Sequence, residues 1–223
     1  GAPLTNKSLA ALRALSLKSS IESQPAFQGL QTRGMGDILL DVEFEENLNP
    51  NQPYLICPNH VSYLDIPVIF SIIPSVFVFV GKKSLSKLPV FGWVYKKTMI
   101  LVDRSSKRSS YQAYKHASQR IAQGVGITIF PEGGIPDSDV KLQRFKNGAF
   151  RFSTDFQMPI VPMSFLDCER RYPYHFSYNH FVGGPGVLRV RVHNHVSTKG
   201  KGISDMEDLK KEVYDLIYND LED

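Results

Sequence analysis

Cysteine is scarce in this chain. Its 223 residues hold two, Cys57 and Cys168, too far apart for a metal knuckle or a redox CxxC pair. No disulfide framework is available, and both thiols are expected to be buried in a reducing compartment. Long apolar runs are missing as well. The most apolar stretch, Ile66 to Val80, is about 15 residues long and contains Pro67 and Pro74. A membrane-spanning helix needs about 20 residues without such breaks. No secretory signal pattern opens the chain, and there is no internal repeat or low-complexity tract. A nucleophile elbow is also absent: Ser62 stands beside His60 without the G-x-S-x-G setting that would strain and expose it. His193 and His195 share a strand face, but no third metal ligand lies near them in sequence.

What remains is an ordinary globular composition, 42% hydrophobic and 22% charged, at a length that fits one domain. The charge is unevenly placed. Between Gly81 and Arg151 there are 14 Lys and Arg against 4 Asp and Glu, and elsewhere 12 against 18. A basic middle between acidic ends suits an anionic partner, a phosphate ester or an anionic lipid. Nucleic acid fits poorly, because the aromatic residues sit at buried-strand positions and form no stacking array.

Periodicity places the elements. Leu4 to Ile21 reads as a cationic amphipathic helix, suited to a membrane surface or to packing on the domain. It belongs to an N-terminal helical segment, 1–35, that precedes a larger domain over 36–223. Ile38, Leu40, Val42 and Phe44 alternate with polar residues, the pattern of a half-buried strand. Further strands are expected at 54–57, 76–80, 99–102, 127–130, 160–163 and 187–196, the last closing the sheet. Helices are expected at 66–73, 89–97, 108–123 and 147–156. A final helix begins at Ser204 with Glu207 completing a capping box. Strands interleaved with helices imply an α/β fold, a single domain with a mostly parallel central sheet covered on both faces.

Loops leaving the carboxyl ends of such strands carry function. Three here hold reactive side chains. In "NHVSYLD", His60 and Asp65 are five apart, about 140° around a continuous helix, so they cannot share a helical face. With His60 in the turn and Asp65 at the helix start, the carboxylate can accept from one imidazole nitrogen and leave the other as a base. An N-capping Asp beside a solvated histidine is the plainer alternative. "ILVDRSS" brings Arg104 to a strand end, where a guanidinium can grip phosphate or pair with Asp103. In "IFPEGGIP", Glu132 follows a strand, and Gly133 and Gly134 let backbone amides approach a ligand. With no nucleophile on offer, a base that activates the substrate's own hydroxyl is indicated.

Together these blocks resemble the glycerolipid acyltransferase family, of the lysophosphatidic acid acyltransferase type. Asn59, His60 and Asp65 match its N-H-x-x-x-x-D block, and Ile100 to Arg104 match the second. Phe130, Pro131, Glu132 and Gly133 match the third, and Ile160, Val161 and Pro162 the fourth. "RFKNGAF", Arg144 to Phe150, is similar to the family too. The resemblance covers residues 36 to 196 and departs at Gly134, Ile135 and Pro136, where the family usually has Thr and then Arg-Ser. It implies acyl transfer from acyl-CoA or acyl-carrier protein, as co-substrate, to a lysophospholipid hydroxyl, with no metal and no other cofactor. His60 and Asp65 would be catalytic. Asn59, Arg104, Glu132, Gly133, Gly134 and Lys146 would bind substrate. It further implies peripheral attachment to an anionic membrane surface on the cytoplasmic side. An amino-acid lipid as acceptor and a non-catalytic lipid-binding module remain open beside this reading.

Overall fold

The run Leu55–Pro58 is buried at every position, which is how a strand enclosed on both sides by helices must read. It is β2 of the computed structural model, which describes residues 38–87, 99–103, 105–137, 139–174 and 183–222. The other strands are β1 (Ile38–Phe44), β3 (Phe77–Lys82), β4 (Met99–Val102), β5 (Gly126–Thr128), β6 (Ile160–Phe165) and β7 (Gly186–Val192). They form one sheet in the order β1-β7-β6-β2-β5-β3-β4. Strands β6, β2, β5, β3 and β4 are parallel, β7 is antiparallel to β6, and β1 runs parallel to β7.

Among the described residues five α-helices flank it: α1 (Asp65–Ile72), α2 (Lys107–Ala122), α3 (Asn147–Phe156), α4 (Cys168–Arg171) and α5 (Met206–Glu222). The chain leaves β2 through α1, skips one strand position to form β3 and β4, then returns through α2 and α3 to β5 and β6. Parallel crossovers are right-handed, so reversing direction along the sheet moves the helices to the other face. Val68, Ile69 and Phe70 of α1 accordingly join one core cluster with Phe77, Phe79 and Val161. Residues Ala113 and Ala117 of α2, Phe150 of α3, and Leu209, Val213 and Ile217 of α5 join the other. The adjacent strands β2 and β5 therefore send their connections to opposite faces. A crevice opens between their carboxyl ends, where open α/β sheets bind ligands.

Most expected elements appear within a residue or two, and β4 and α3 have the expected bounds. Three differ. Strand β1 is the sheet edge rather than half-buried, with Leu40 and Phe44 exposed and only Ile38 and Val42 packed on the core. Strand β7 sits inside that edge and does not close the sheet. The last helix has no Ser204–Glu207 box: Asp205 accepts from the Gly202 amide at 2.7 Å, while Glu207 pairs with Lys210. A cation one turn along competed successfully for the Glu carboxylate. The expected helices at 4–21 and 89–97, and Arg104, lie outside the described residues. Among the described residues no helix is long and apolar enough to cross a membrane.

Candidate active site

Pro58 ends β2, and the chain turns through His60 before α1 begins at Asp65. The Asp65 carboxylate does not cap the helix. Its Oδ2 turns back to accept from Val61 N at 2.8 Å, Ser62 N at 3.0 Å and His60 Nδ1 at 2.8 Å. The same oxygen that shapes the turn thus fixes the imidazole. With Nδ1–H directed at Asp65, the neutral ring has its lone pair on Nε2. One ring face is covered by Phe130, with centroids 3.8 Å apart and planes 18° from parallel. Phe130 leads out of β5, so the two strand ends at the crevice meet through these rings.

Glu132, two residues further on, is 1% exposed. Its carboxylate accepts from His60 N at 2.7 Å and from Gln143 N at 2.8 Å. Burial raises its pKa to about 7, opposed by those two backbone donors and reinforced by the negative charge of Asp65. Expected to hold substrate, Glu132 in this structure holds the backbone of His60. Asn59 is relocated in the same way. Fully buried, it donates Nδ2–H to Phe165 O at 3.1 Å and accepts from Phe165 N at 2.7 Å. It fastens the His60 turn to the end of β6 and has no surface for a ligand. Neither bond is legible locally, since the partners are 106 and 72 residues apart.

The two glycines separate. Gly133 has a φ of 88°, a left-handed value that disfavours any side chain, and its amide closes the turn onto Phe130 O at 3.0 Å. Gly134 is exposed and under no such constraint, and a Cβ built on it would meet nothing within 4 Å.

Beside this turn lies a cavity of about 530 Å³ between α2 and α3, walled by Val80, Val102, Ala113, Ile129, Ala149 and Phe152. Phe130, Pro131 and Gly133 also line it, so Phe130 borders both the His60 ring and the cavity. Lys146 and Arg151 reach it from α3 and Tyr111 from α2. Lys146 donates its amide to Pro131 O at 2.9 Å, which aligns the start of α3 with the "PEGG" turn and leaves its ammonium exposed. Helix α2 has no acidic residue in "KRSSYQAYKHASQRIA". Asp103, at the end of β4, has its pKa lowered by hydrogen bonds from Ser105 and, beyond them, by Lys83 and Lys82. The structure brings His60, Asp65, Asn59, Glu132, Gly133, Gly134 and Lys146 to one end of the sheet. The residues that sequence reasoning missed are Phe130 as the stacking surface and Phe165 as the anchor of Asn59.

Comparison with known proteins agrees with this arrangement. A family model described as Acyltransferase matches residues 39–166, more than half of the chain. An uncharacterized acyltransferase of Schizosaccharomyces pombe is 28% identical over 195 residues, covering 84% of this chain and 68% of the relative. The 1-acyl-sn-glycerol-3-phosphate acyltransferase alpha of Mus musculus is 27% identical over 82% of this chain and 61% of its own. The 1-acyl-sn-glycerol-3-phosphate acyltransferase of Helicobacter pylori is 34% identical over 51% of this chain and 48% of its own. The chain thus spans about half to two thirds of these relatives' lengths. In fold it is similar to the crystal structure of the 1-acyl-sn-glycerophosphate (LPA) acyltransferase PlsC from Thermotoga maritima. That likeness has a TM-score of 0.66 at 20% identity and covers 97% of this chain and 96% of the other. The motif blocks, the sheet that gathers them at one crevice and the match over residues 39–166 agree: the chain belongs to the acyltransferase family.

Proposed function

We propose that this protein transfers a fatty acyl group from a thioester, acyl-CoA or acyl-carrier protein, to the free hydroxyl of a lysophospholipid, with lysophosphatidic acid the leading acceptor. The observation that carries the reading is the His60–Asp65 pair, oriented at 2.8 Å and stacked on the wall of a largely apolar cavity. His60 Nε2 takes the hydroxyl proton as the oxygen attacks the thioester carbonyl. Asp65 stabilises the imidazolium that forms. Collapse of the tetrahedral intermediate breaks the carbon–sulfur bond, and the imidazolium returns its proton to the departing thiolate. No acyl-enzyme is needed. The cavity between α2 and α3 takes the acyl chain, which its apolar walls desolvate. Arg104, read from the sequence, is assigned the acceptor's phosphate, with Lys146 assisting. The acid-free exposed side of α2 and the nearby Lys82 and Lys83 suit the phosphates of CoA, an acidic carrier, or an anionic membrane surface on which the enzyme rests peripherally.

Release of free thiol from acyl-CoA, measured with a panel of lysolipid acceptors, tests this. Turnover dependent on a lysophospholipid is expected, and its absence with every acceptor, alongside intact liposome binding, would instead establish a lipid-binding module. One observation favours including amino-acid lipids in the panel: the backbone at Gly134 leaves open space where the family usually carries Thr.

A further inference from the structure

A second cavity, of about 210 Å³, lies beside the first and has no part in the chemistry above. It is lined by Arg144, Phe145, Lys210, Lys211 and Tyr214. Arg144 and Phe145 precede Lys146, which lines the larger cavity, so the run 144–146 borders both. That run is fastened to the turn after β5 at two points. The Gln143 amide donates to Glu132 at 2.8 Å, and the Lys146 amide donates to Pro131 O at 2.9 Å. Glu132 in turn accepts from His60 N, so the small cavity keeps a fixed register with the base. Its floor is aromatic. Phe145 is buried, and the half-buried Tyr214 ring meets it edge-on, with centroids 5.0 Å apart and planes at 73°. The Tyr214 hydroxyl donates to Leu142 O at 3.3 Å, which holds the ring in place. Its rim is cationic. Lys210 is paired with Glu207 and donates to Asn147 Oδ1 at 2.9 Å. Lys211, 76% exposed, is paired with Asp215, and Arg144 is exposed beside them. Three cations meet two carboxylates there, which leaves positive charge above a floor of rings.

We propose that this recess binds the nucleotide head of an acyl-CoA donor, with the adenine on the Tyr214 and Phe145 rings and the phosphates on Arg144 and Lys211. The proposal rests on reading the protein as an acyltransferase that uses a thioester, and it selects CoA as the thiol carrier. A base stacks on an aromatic ring whatever its identity, and each such contact adds to affinity. A guanidinium grips phosphate bidentately, and an ammonium serves it as a point charge. Lys211 exchanges Asp215 for a phosphate at little cost, because an ion pair so exposed contributes little. The recess admits one purine base. A folded carrier protein would need about 800 Å² of surface on each partner, which a recess of this size does not supply. The pantetheine arm then runs from the recess past residues 144–146 to His60, and the larger cavity is left to the acyl chain.

Titration calorimetry on the 223-residue protein, with free CoA and with inorganic pyrophosphate as ligands, tests the site in wild type, Arg144→Ala, Tyr214→Leu and Tyr214→Phe. CoA affinity should fall about tenfold in Arg144→Ala, for a lost charged hydrogen bond, and about tenfold in Tyr214→Leu, for a lost stacked base. Phenylalanine keeps the ring and should retain the affinity that leucine loses. Pyrophosphate binding should weaken in Arg144→Ala alone. In wild type, the adenine protons of bound CoA should show nuclear Overhauser contacts to the Tyr214 ring, a reading that does not depend on any variant folding. The proposal is overturned if wild type fails to bind CoA at millimolar concentration, if CoA weakens only where pyrophosphate does, or if the adenine contacts other rings. The second of these results would make the recess a phosphate site without base recognition. An acyl-carrier protein that loses binding in Arg144→Ala while CoA does not would overturn it in favour of carrier docking. Should wild type bind CoA in this way and transfer no acyl group from acyl-CoA, the transfer reading fails while the nucleotide site stands.

Discussion

Among the described residues three histidines are paired with carboxylates, and two of them, His60 and His193, differ in what their second ring nitrogen meets. His60 uses Nδ1 on Asp65, its side chain is 14% exposed, and no described residue occupies Nε2 with a hydrogen bond. His193, after β7 and toward the opposite end of the sheet, is 4% exposed and has both ring nitrogens engaged. Its Nδ1 is 3.0 Å from Glu45 Oε1, and Nε2 is 2.9 Å from both Ser164 Oγ and Asp220 Oδ2. Serine, histidine and aspartate meet there in a buried cluster that ties the end of β1, β6 and α5 together, with Arg191 also on Asp220. The residue types of a catalytic triad do not make one. A base needs a free nitrogen and a route for the substrate to reach it.

The comparison can be broken most decisively at His60. Replacing it with alanine should lower acyl transfer by about 10²- to 10⁴-fold, the range of general-base contributions, with the circular dichroism spectrum and melting curve retained. Near-normal thiol release would remove it as the base. His193→Ala should behave oppositely. Rate per folded molecule should stay near wild type, while stability drops by about 1–3 kcal/mol, because buried Ser164 loses its hydrogen-bond partner and the cluster around Asp220 is opened. Equal urea midpoints would show the buried cluster to be dispensable.

Glu132 sharpens the contrast through pH. Its pKa in the folded protein, about 7, lies above the ordinary value of 4.5, so between those values the folded state holds more protons than the unfolded one. Stability must then fall as pH rises across that window, on the order of 3 kcal/mol in all. Glu132→Gln should flatten that part of the profile, and parallel wild-type and variant curves in urea titrations from pH 5 to 8 would refute the assignment. The smallest effect is expected at Gly134. Threonine there meets no neighbour, so stability should change by less than about 0.5 kcal/mol, while relative rates across the acceptor panel shift. Unchanged acceptor preference would take the turn's open space out of acceptor selection.

Much of the fold was legible because its signals are local. β4 is a buried apolar run between polar flanks, and α3 keeps its expected bounds over Asn147–Phe156. Strand β1 was misjudged because alternation reports which residues can face a core and not whether a neighbour covers them. In the site, the His60–Asp65 pair was readable since both ends lie in one turn. Asn59 and Glu132 were recognised as belonging to the site, but their bonds to distant main chain were not foreseen. Both have polar side chains in matched motif blocks, and whether such a group meets a ligand or a distant main chain depends on strand order.

By itself the sequence determined the alternation of strands and helices, the turn that joins an imidazole to a carboxylate, and the motifs of an acyltransferase. Short-range sterics, hydrophobic periodicity and spacing within a few residues suffice for those. Tertiary structure alone decided that β2 and β5 are neighbours whose crossovers diverge. From that follow the stacking of Phe130 on His60, the two backbone bonds that bury Glu132, and the bridging of the turn to β6 by Asn59. A buried polar atom must find its partner wherever the sheet brings one, however far away along the chain.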